Sequence, residues 1–432
     1  MSALVIRGGR VIDPEGGLDG PADLVIEDGR VSQVGARVAR PPGAEVLDAS
    51  GLWVVPGLVD MHVHLREPGG EAKETIATGA RAAAAGGFAA VLAMPNTTPP
   101  VDSEHMARYV RMRGREAGSA KVLVAGAVTE GRRGGRPADL AGMSRAGAVA
   151  FTDDGDEVRD ARVLRAAMRE CAALGAPVLV HAEDPDLVSG GHVNEGPVST
   201  ALGLAGRPAL AEALAVARDI AIAKDTGAKL HVQHVSTAAA LREIERAKAE
   251  GVAVTCEATP HHLLLTEDAC RGYDPAAKVN PPLRSAADRE ALADALARGA
   301  VDAIASDHAP HAAEDKGLEF DGAAAGISGV ETALALLLTD LVHEGLVTPA
   351  RLVELMSGAP ARILGLEGWG TLAPGSVGSV TLIDPDAEWT VDPGSFISLG
   401  RSTPFAGRKL RGRARAVVVE GGVVEGRVGG GP

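Results

Sequence analysis

Two histidines and an arginine occupy alternate positions in VDMHVHLREPGG, residues 59–70. Side chains of a β-strand alternate between faces, so His62 and His64 share one face and Arg66 can continue it. Paired imidazoles suit a metal, and a cation just beyond them suits an anionic ligand. Other apolar runs also end in polar residues: Asn96, Thr129, Asp153 with Asp154, His181, His234, His261 and Asp307. Of these, His181, His234 and Asp307 belong to the residue types that ligate zinc and its neighbours. One histidine at a strand end is usually only a polar cap. Ligand-type residues at four separate strand ends make metal binding the stronger reading. Five ligands exceed what one catalytic zinc takes, so a second metal would need a bridging group. FTDDG, residues 151–155, supplies carboxylates whose two oxygens could each bind one cation. Asp153 and Asp154 point to opposite faces of a regular strand, and spacing alone does not choose between them.

Eight apolar runs carry these ends: residues 54–65, 88–96, 121–129, 147–155, 176–184, 229–237, 252–262 and 301–310. Segments with helical spacing separate most of them, among them 71–86, 157–174, 208–226 and 237–250. Near-continuous apolar strands alternating with helices imply a parallel sheet covered on its outside. Eight such units predict an α/β fold of the (β/α)8 TIM-barrel type, with the site at the carboxyl ends of the strands. A doubly wound open sheet is the alternative, but it would converge eight strand ends less well. Both chain ends read differently, as β-branched runs broken by Gly and Asp-Gly turn signals. They predict one small composite β-sandwich domain built from residues 1–55 and 366–432, with the barrel over 56–365.

The chain has 432 residues, enough for a barrel of roughly 250 residues and an accessory domain. Apolar residues make up 46% but aromatics only 2%, so the core must be built from Ala, Val, Leu and Ile. A net charge of −14 argues against nucleic-acid or anionic-membrane partners, which need basic patches. It leaves room for an acidic small molecule held by a local arginine. Cys171, Cys256 and Cys270 form no CxxC pair and read as buried thiols in a reducing cytosol. Arg7 and Gly8 interrupt the first apolar run, so no signal peptide is expected. Residues 82–95 are too short to span a bilayer, and a cytoplasmic protein is the default expectation.

The chain resembles dihydroorotases of the bacterial type I group, within the cyclic amidohydrolase superfamily. DMHVHLREPGGEAKETI, MPNTTP, FTDDG, VLVHAED, HVQHVST, TPHHL, KVNPPLR, SDHAPH and TPFAGRKLRG carry the resemblance, over positions 60 to 411. It implies zinc-dependent, reversible cyclisation of N-carbamoyl-L-aspartate to L-dihydroorotate in de novo pyrimidine biosynthesis. By the resemblance, His62 and His64 hold one Zn2+ with Asp307, His181 and His234 hold a second, and Asp154 bridges them. Many relatives carry a carboxylated lysine at the bridge, and this strand has no lysine. Zinc lowers the pKa of its water toward ~7, making hydroxide available to attack the ring amide. Asp307 is expected to act as general base and acid. Arg66, Asn96 and His311 are expected at the substrate carboxylate, beside His64, and Asn280 at the ring. Ala325 and Gly326 would contribute backbone contacts, although many relatives have Pro and Phe before that glycine. The resemblance also implies a homodimer and allows association with aspartate transcarbamoylase. Two readings compete. One is a hydantoinase/dihydropyrimidinase or allantoinase, against which Arg66 and the missing lysine argue. The other is an inactive dihydroorotase-like scaffold for aspartate transcarbamoylase, against which the complete ligand set argues. His261 and His262 read as packing residues, and the Gly/Ala-rich segment 312–326 as a mobile lid.

Overall fold

A computed structural model describes residues 3–425. Eight parallel strands run in chain order around a barrel: β1 (Leu58–Val63), β2 (Phe88–Ala93), β3 (Lys121–Gly126), β4 (Ala148–Phe151), β5 (Val178–Val180), β6 (Leu230–Val232), β7 (Val254–Ala258) and β8 (Ala303–Ile304). β8 returns to β1 through the backbone bond from His64 N–H to His308 O (2.8 Å) and a bridge between Val63 and His308. Seven longer helices cover the outside: α1 (Ile76–Ala85), α2 (Glu104–Ala117), α3 (Leu140–Ala146), α4 (Ala161–Leu174), α5 (Ala209–Thr226), α6 (Ala238–Ala249) and α7 (Ala286–Arg298).

Local chemistry sets the helix ends. Thr75, Asp139, Asp160, Thr237 and Ser285 accept backbone N–H groups at the starts of α1, α3, α4, α6 and α7. Gly118, Gly147, Gly175, Gly227 and Gly299 end α2, α3, α4, α5 and α7 in the left-handed conformation that an L side chain disfavours. Strand alternation divides the core. Val59, Met61, Ala90, Leu92, Leu123, Ala125, Ala150 and Leu179 fill the barrel interior. Leu58, Val63, Phe88, Val91, Val122, Val124 and Val178 pack outward with the helices.

Both ends of the described chain join in one mixed sheet. Strands Ala3–Asp13, Leu18–Glu27, Arg30–Gly35, Glu45–Asp48 and Trp53–Pro56 come from the amino end. Val380–Thr390, Lys409–Val419 and Gly422–Glu425 come from the carboxyl end, with Val380–Ile383 pairing antiparallel to Trp53–Pro56. The domain has its own core, including Leu4, Ile6, Leu24, Ile26, Val54, Leu382 and Val418. Its strands are hydrogen-bonded into one continuous sheet. Cys171, Cys256 and Cys270 are buried and free. Among the described residues, no helix is long and apolar enough to cross a membrane.

Candidate metal centre and substrate pocket

The carboxyl ends of the strands carry the site because β1 breaks its own alternation. Val59 and Met61 face the barrel interior. The register then shifts between Asp60 and Val63, and Val63 turns outward. This irregularity aims His62 and His64 together at the strand mouth, as bulges commonly re-aim side chains beside functional sites. Asp60 holds the turn, accepting N–H groups from His62 (3.2 Å) and Ser306 (3.0 Å).

Six ligand-type side chains converge there. His62, His64 and Asp154 form one group able to hold a metal, and Asp154, His181 and His234 form another. His62 Nε2 lies 3.2 Å from Asp154 Oδ1, and His64 Nε2 lies 3.4 Å from Asp154 Oδ2. Asp307 Oδ1 abuts the first group, 3.2 Å from His64 Nε2 and 3.5 Å from His62 Nε2. On the other side, His181 Nδ1 and His234 Nε2 lie 3.9 and 3.8 Å from Asp154 Oδ1. The choice that sequence spacing left open is resolved in position. Asp153 turns away, accepting N–H from Val128 (2.8 Å) and Thr129 (3.0 Å).

The donor set fits a metal. Asp154 Oδ1 is buried without a hydrogen-bond donor. Asp154 and Asp307 concentrate negative charge where water is largely excluded, an arrangement that is costly without cations. His181 Nε2 donates to Glu183 Oε2 (3.1 Å), which leaves the Nδ1 lone pair facing His234 Nε2 at 3.0 Å. The two facing nitrogens either share one proton or, with His234 protonated at Nδ1, both offer lone pairs to a cation.

The electrostatics agree. Burial opposes ionisation of Asp154 and Asp307, but the surrounding histidines reverse this and hold both well below the usual carboxylate range. Burial likewise opposes a charged His62, and Asp154 and Asp307 overcome it, raising its pKa. His64 is lowered by burial and by the Arg66 charge. Burial is outweighed at Glu257 by hydrogen bonds from His231 and His62, which bring it to about 2. At Glu183 burial is outweighed by the His181 hydrogen bond and charge, then by Arg207 and Arg284, giving about 2.

Beside these ligands lies a cavity of about 160 Å³, lined by His64, Arg66, Asn96, Asp154, His181, His234, Asn280, Asp307, His311, Ala325 and Gly326. Every sequence-predicted site residue lines it except His62, which is fully buried beneath. Burial lowers Arg66 to about 10, so it stays a cation at neutral pH. It donates through Nε to Pro310 O (3.1 Å), and its Nη2 lies 3.3 Å from His311 Nε2. His311 Nε2 donates to Ala325 O (2.9 Å); burial and the Arg66 charge lower its pKa to about 3. The Asn96 carbonyl accepts from His64 Nδ1 (2.9 Å), so Asn96 also orients the His64 ring. Asn280, with its nitrogen donating to Val279 O (3.1 Å), accepts from Arg207 Nη2 (3.3 Å). The Gly326 N–H donates to Lys278 O (2.9 Å), so any substrate contact at Gly326 falls to its other backbone atoms. A Cβ at Gly326, φ +148°, would lie 2.5 Å from Ala309 O and 2.9 Å from His311 Cδ2. Only glycine fits that approach.

Three site residues, Arg66 (φ +59°), His234 (φ +32°) and Asp307 (φ +46°), hold left-handed backbone. Such conformations cost about 1–3 kcal/mol each and cluster where geometry serves a site. The expected lid segment is fastened in this structure. Lys278 Nζ donates to the carbonyls of Phe320, Asp321 and Ala323 (2.8, 2.8 and 2.7 Å), and Lys316 Nζ to those of Pro275 and Ala324 (both 2.8 Å). His261 and His262 are buried, and His262 bonds Thr259 Oγ1 (2.8 Å) and Pro281 O (3.0 Å). Sequence reasoning missed Glu183, Arg207 and Glu257. A carboxylate inside the apolar run VAVTCEA was the available signal for Glu257, since buried charges are paired.

A family model described as Dihydro-orotase-like matches residues 51–240. The chain is 51% identical to a dihydroorotase of Pelotomaculum thermopropionicum over 421 residues, covering 98% of each chain. It is 51% identical to one from Anaeromyxobacter dehalogenans over 423 residues, covering 98% of this chain and 97% of that relative. Among solved structures, it is similar to an L-hydantoinase (dihydropyrimidinase) from Arthrobacter aurescens, with TM-score 0.88, 29% identity and coverage of 99% and 97%. A dihydropyrimidinase from Brevibacillus agri aligns with TM-score 0.84 at 26% identity, covering 98% and 95%.

Proposed function

The chain belongs to the dihydroorotase family, and we propose that it interconverts N-carbamoyl-L-aspartate and L-dihydroorotate as a step of pyrimidine biosynthesis. The observation that carries the reading is the meeting of two ligand groups with the Arg66 cation at one small cavity. The two hydantoinase-type structures above share the architecture at 29% and 26% identity, whereas the relatives reported near 50% are dihydroorotases. A hydantoin ring carries no carboxylate for Arg66 to hold.

His62 and His64 with Asp307 would hold one Zn2+ and His181 and His234 a second, and the Asp154 carboxylate would serve both. Bound zinc supplies a Lewis acid and acidifies water toward neutral pH. Arg66 grips the substrate carboxylate, and the planar guanidinium suits bidentate pairing. His311 and the Asn96 amide flank the same carboxylate, and Asn280 borders the ring. Asp307 is ionised at neutral pH, so it can accept a proton from the attacking water. It returns that proton to the ring nitrogen as the amide C–N bond breaks. In the cyclising direction Asp307 takes the proton from the ureido nitrogen. Arg66 thus fixes which ring carbonyl faces Asp307. The barrel over 56–365 acts as the catalytic domain, and segments 1–55 and 366–432 form the accessory one. The family resemblance is what supports a cytoplasmic setting, a homodimer and association with aspartate transcarbamoylase.

The test is ultraviolet-monitored hydrolysis of L-dihydroorotate before and after chelation and zinc restoration, with dihydrouracil as control. Zinc-dependent loss of dihydroorotate alone is expected. Turnover of dihydrouracil instead would support the hydantoinase reading. No turnover of either and no bound metal would support the scaffold.

A further inference from the structure

Behind His62, a line of polar side chains crosses the apolar barrel interior. Glu257 on β7 is fully buried, and its Oε1 lies 2.8 Å from His62 Nδ1. Its Oε2 lies 3.2 Å from Nε2 of His231 on β6, also fully buried. His231 Nδ1 lies 2.8 Å from Thr255 Oγ1, and Thr255 lines a cavity of about 440 Å³ at the opposite end of the barrel. We propose that Glu257, held by His231 and Thr255, is a positioning residue that commits His62 to present Nε2 at the metal centre.

The donors and acceptors run one way. The Thr255 hydroxyl donates to His231 Nδ1, His231 Nε2–H donates to Glu257, and His62 Nδ1–H donates to the other Glu257 oxygen. In the neutral ring that a metal ligand must be, Nε2 of His62 is then the lone pair, aimed between Asp154 and Asp307. A second neighbour pulls the other way. The Gln233 amide nitrogen lies 3.2 Å from His62 Nδ1 and 3.5 Å from Nε2, and it can only donate. Were it to claim Nδ1, the ring proton would move to Nε2 and block ligation. Glu257 is closer and is an acceptor, so it decides the tautomer. Thr152 Oγ1 donates to Gln233 Oε1 (3.2 Å), which fixes the competing amide in place. An isolated carboxylate at this depth would be costlier than an apolar side chain. Its two histidine partners offset that cost while leaving each oxygen a defined donor. Carboxylates behind ligating histidines raise metal affinity, and their loss typically weakens it ~10–100-fold.

The inference rests on the reading that His62 is a metal ligand. Zinc retention against a calibrated chelator is measured for wild type, Glu257→Gln and His231→Leu, with melting of each metal-free protein as the control for folding. Glu257→Gln keeps the shape but supplies an amide that can donate as well as accept. Expected are zinc retention ~10–100-fold weaker in Glu257→Gln, a smaller loss in His231→Leu, and cooperative metal-free melting in both variants at a temperature below wild type. The loaded Glu257→Gln enzyme should lose kcat with KM for dihydroorotate unchanged, since Glu257 does not line the pocket. Retention equal to wild type in Glu257→Gln overturns the proposal. If that variant does not fold, His231→Leu decides, because it leaves Glu257 in place and touches no proposed ligand. Weakened retention then supports the relay, and wild-type retention overturns it. A wild-type protein that binds no zinc overturns the metal-centre reading, and this inference with it.

Discussion

The two halves of the candidate centre present their nitrogens differently: the first uses Nε2 of both histidines, the second Nδ1 of His181 and Nε2 of His234. His62 and His64 present Nε2 to Asp154 and are backed through Nδ1, by Glu257 and by the Asn96 carbonyl. His181 presents Nδ1 and is backed through Nε2 by Glu183. The supports also differ in depth. Glu257 is held by His231 inside the barrel. Glu183 is held by Arg207 Nη1 (2.8 Å), whose side chain is 16% exposed and which also donates to Gly191 O (2.9 Å) in the segment after β5. An imidazole therefore has no fixed working nitrogen; the position of the supporting acceptor assigns it. The His62 support is braced by the core, and the His181 support only in part by Arg207 of the loop after β5, because buried Arg284 Nη2 also lies 3.6 Å from Glu183 Oε1.

The strongest perturbation removes what the halves share. Asp154→Asn is expected to release metal from both and lower kcat/KM on the order of 10³-fold or more, the scale of losing a principal electrostatic group. Metal analysis beside kinetics checks it, and selective loss from one half would mean that Asp154 does not join them. Arg66→Ala comes next. Losing a charge-assisted pair costs about 1.5–3 kcal/mol, so KM for dihydroorotate should rise roughly 10–150-fold. Lysine should recover only part, lacking the planar fork. An unchanged KM would remove Arg66 from the substrate carboxylate. Glu183→Gln tests the asymmetry directly. Metal retention is expected to weaken about 10-fold, toward the low end for such supports, because Arg207 and nearby solvent can rearrange. A loss matching that of Glu257→Gln would erase the distinction between core and loop bracing. The smallest effect is in acid. Glu183 and Glu257 are depressed to about 2, against an unfolded glutamate value of about 4.3. Their contribution to stability is present above that unfolded value and is lost as pH falls toward 2. Metal-free protein should therefore melt progressively lower from about pH 4.5 downward, and replacing either glutamate should flatten that slope. A slope unchanged in both variants would mean that neither carboxylate is held by its histidine.

Much of the architecture was legible because it rests on local rules. Apolar runs of strand length, helical spacing between them and glycine at helix ends each carry their physics in a few adjacent residues. The candidate centre was legible where its residues end strands. Its support was not, because Glu183, Arg207 and Glu257 matter only through partners far apart in the chain. Nor were the contacts of segment 312–326 legible, because Lys278 donates to the carbonyls of Phe320, Asp321 and Ala323 across 42 to 45 positions of chain.

The chain alone therefore determined an eight-unit barrel, a β-rich domain drawn from both ends, and the set of histidines and carboxylates at the strand ends. Those follow from side-chain periodicity and residue chemistry, which act over one or two turns of chain. Only the tertiary structure decided that Asp154 rather than Asp153 faces the histidines, and which nitrogen of each histidine faces inward. It also decided that Arg66, His234 and Asp307 take left-handed backbone to do so. These depend on a register shift in β1 and on acceptors contributed by neighbouring strands, and no local pattern encodes a neighbour that folding alone brings near.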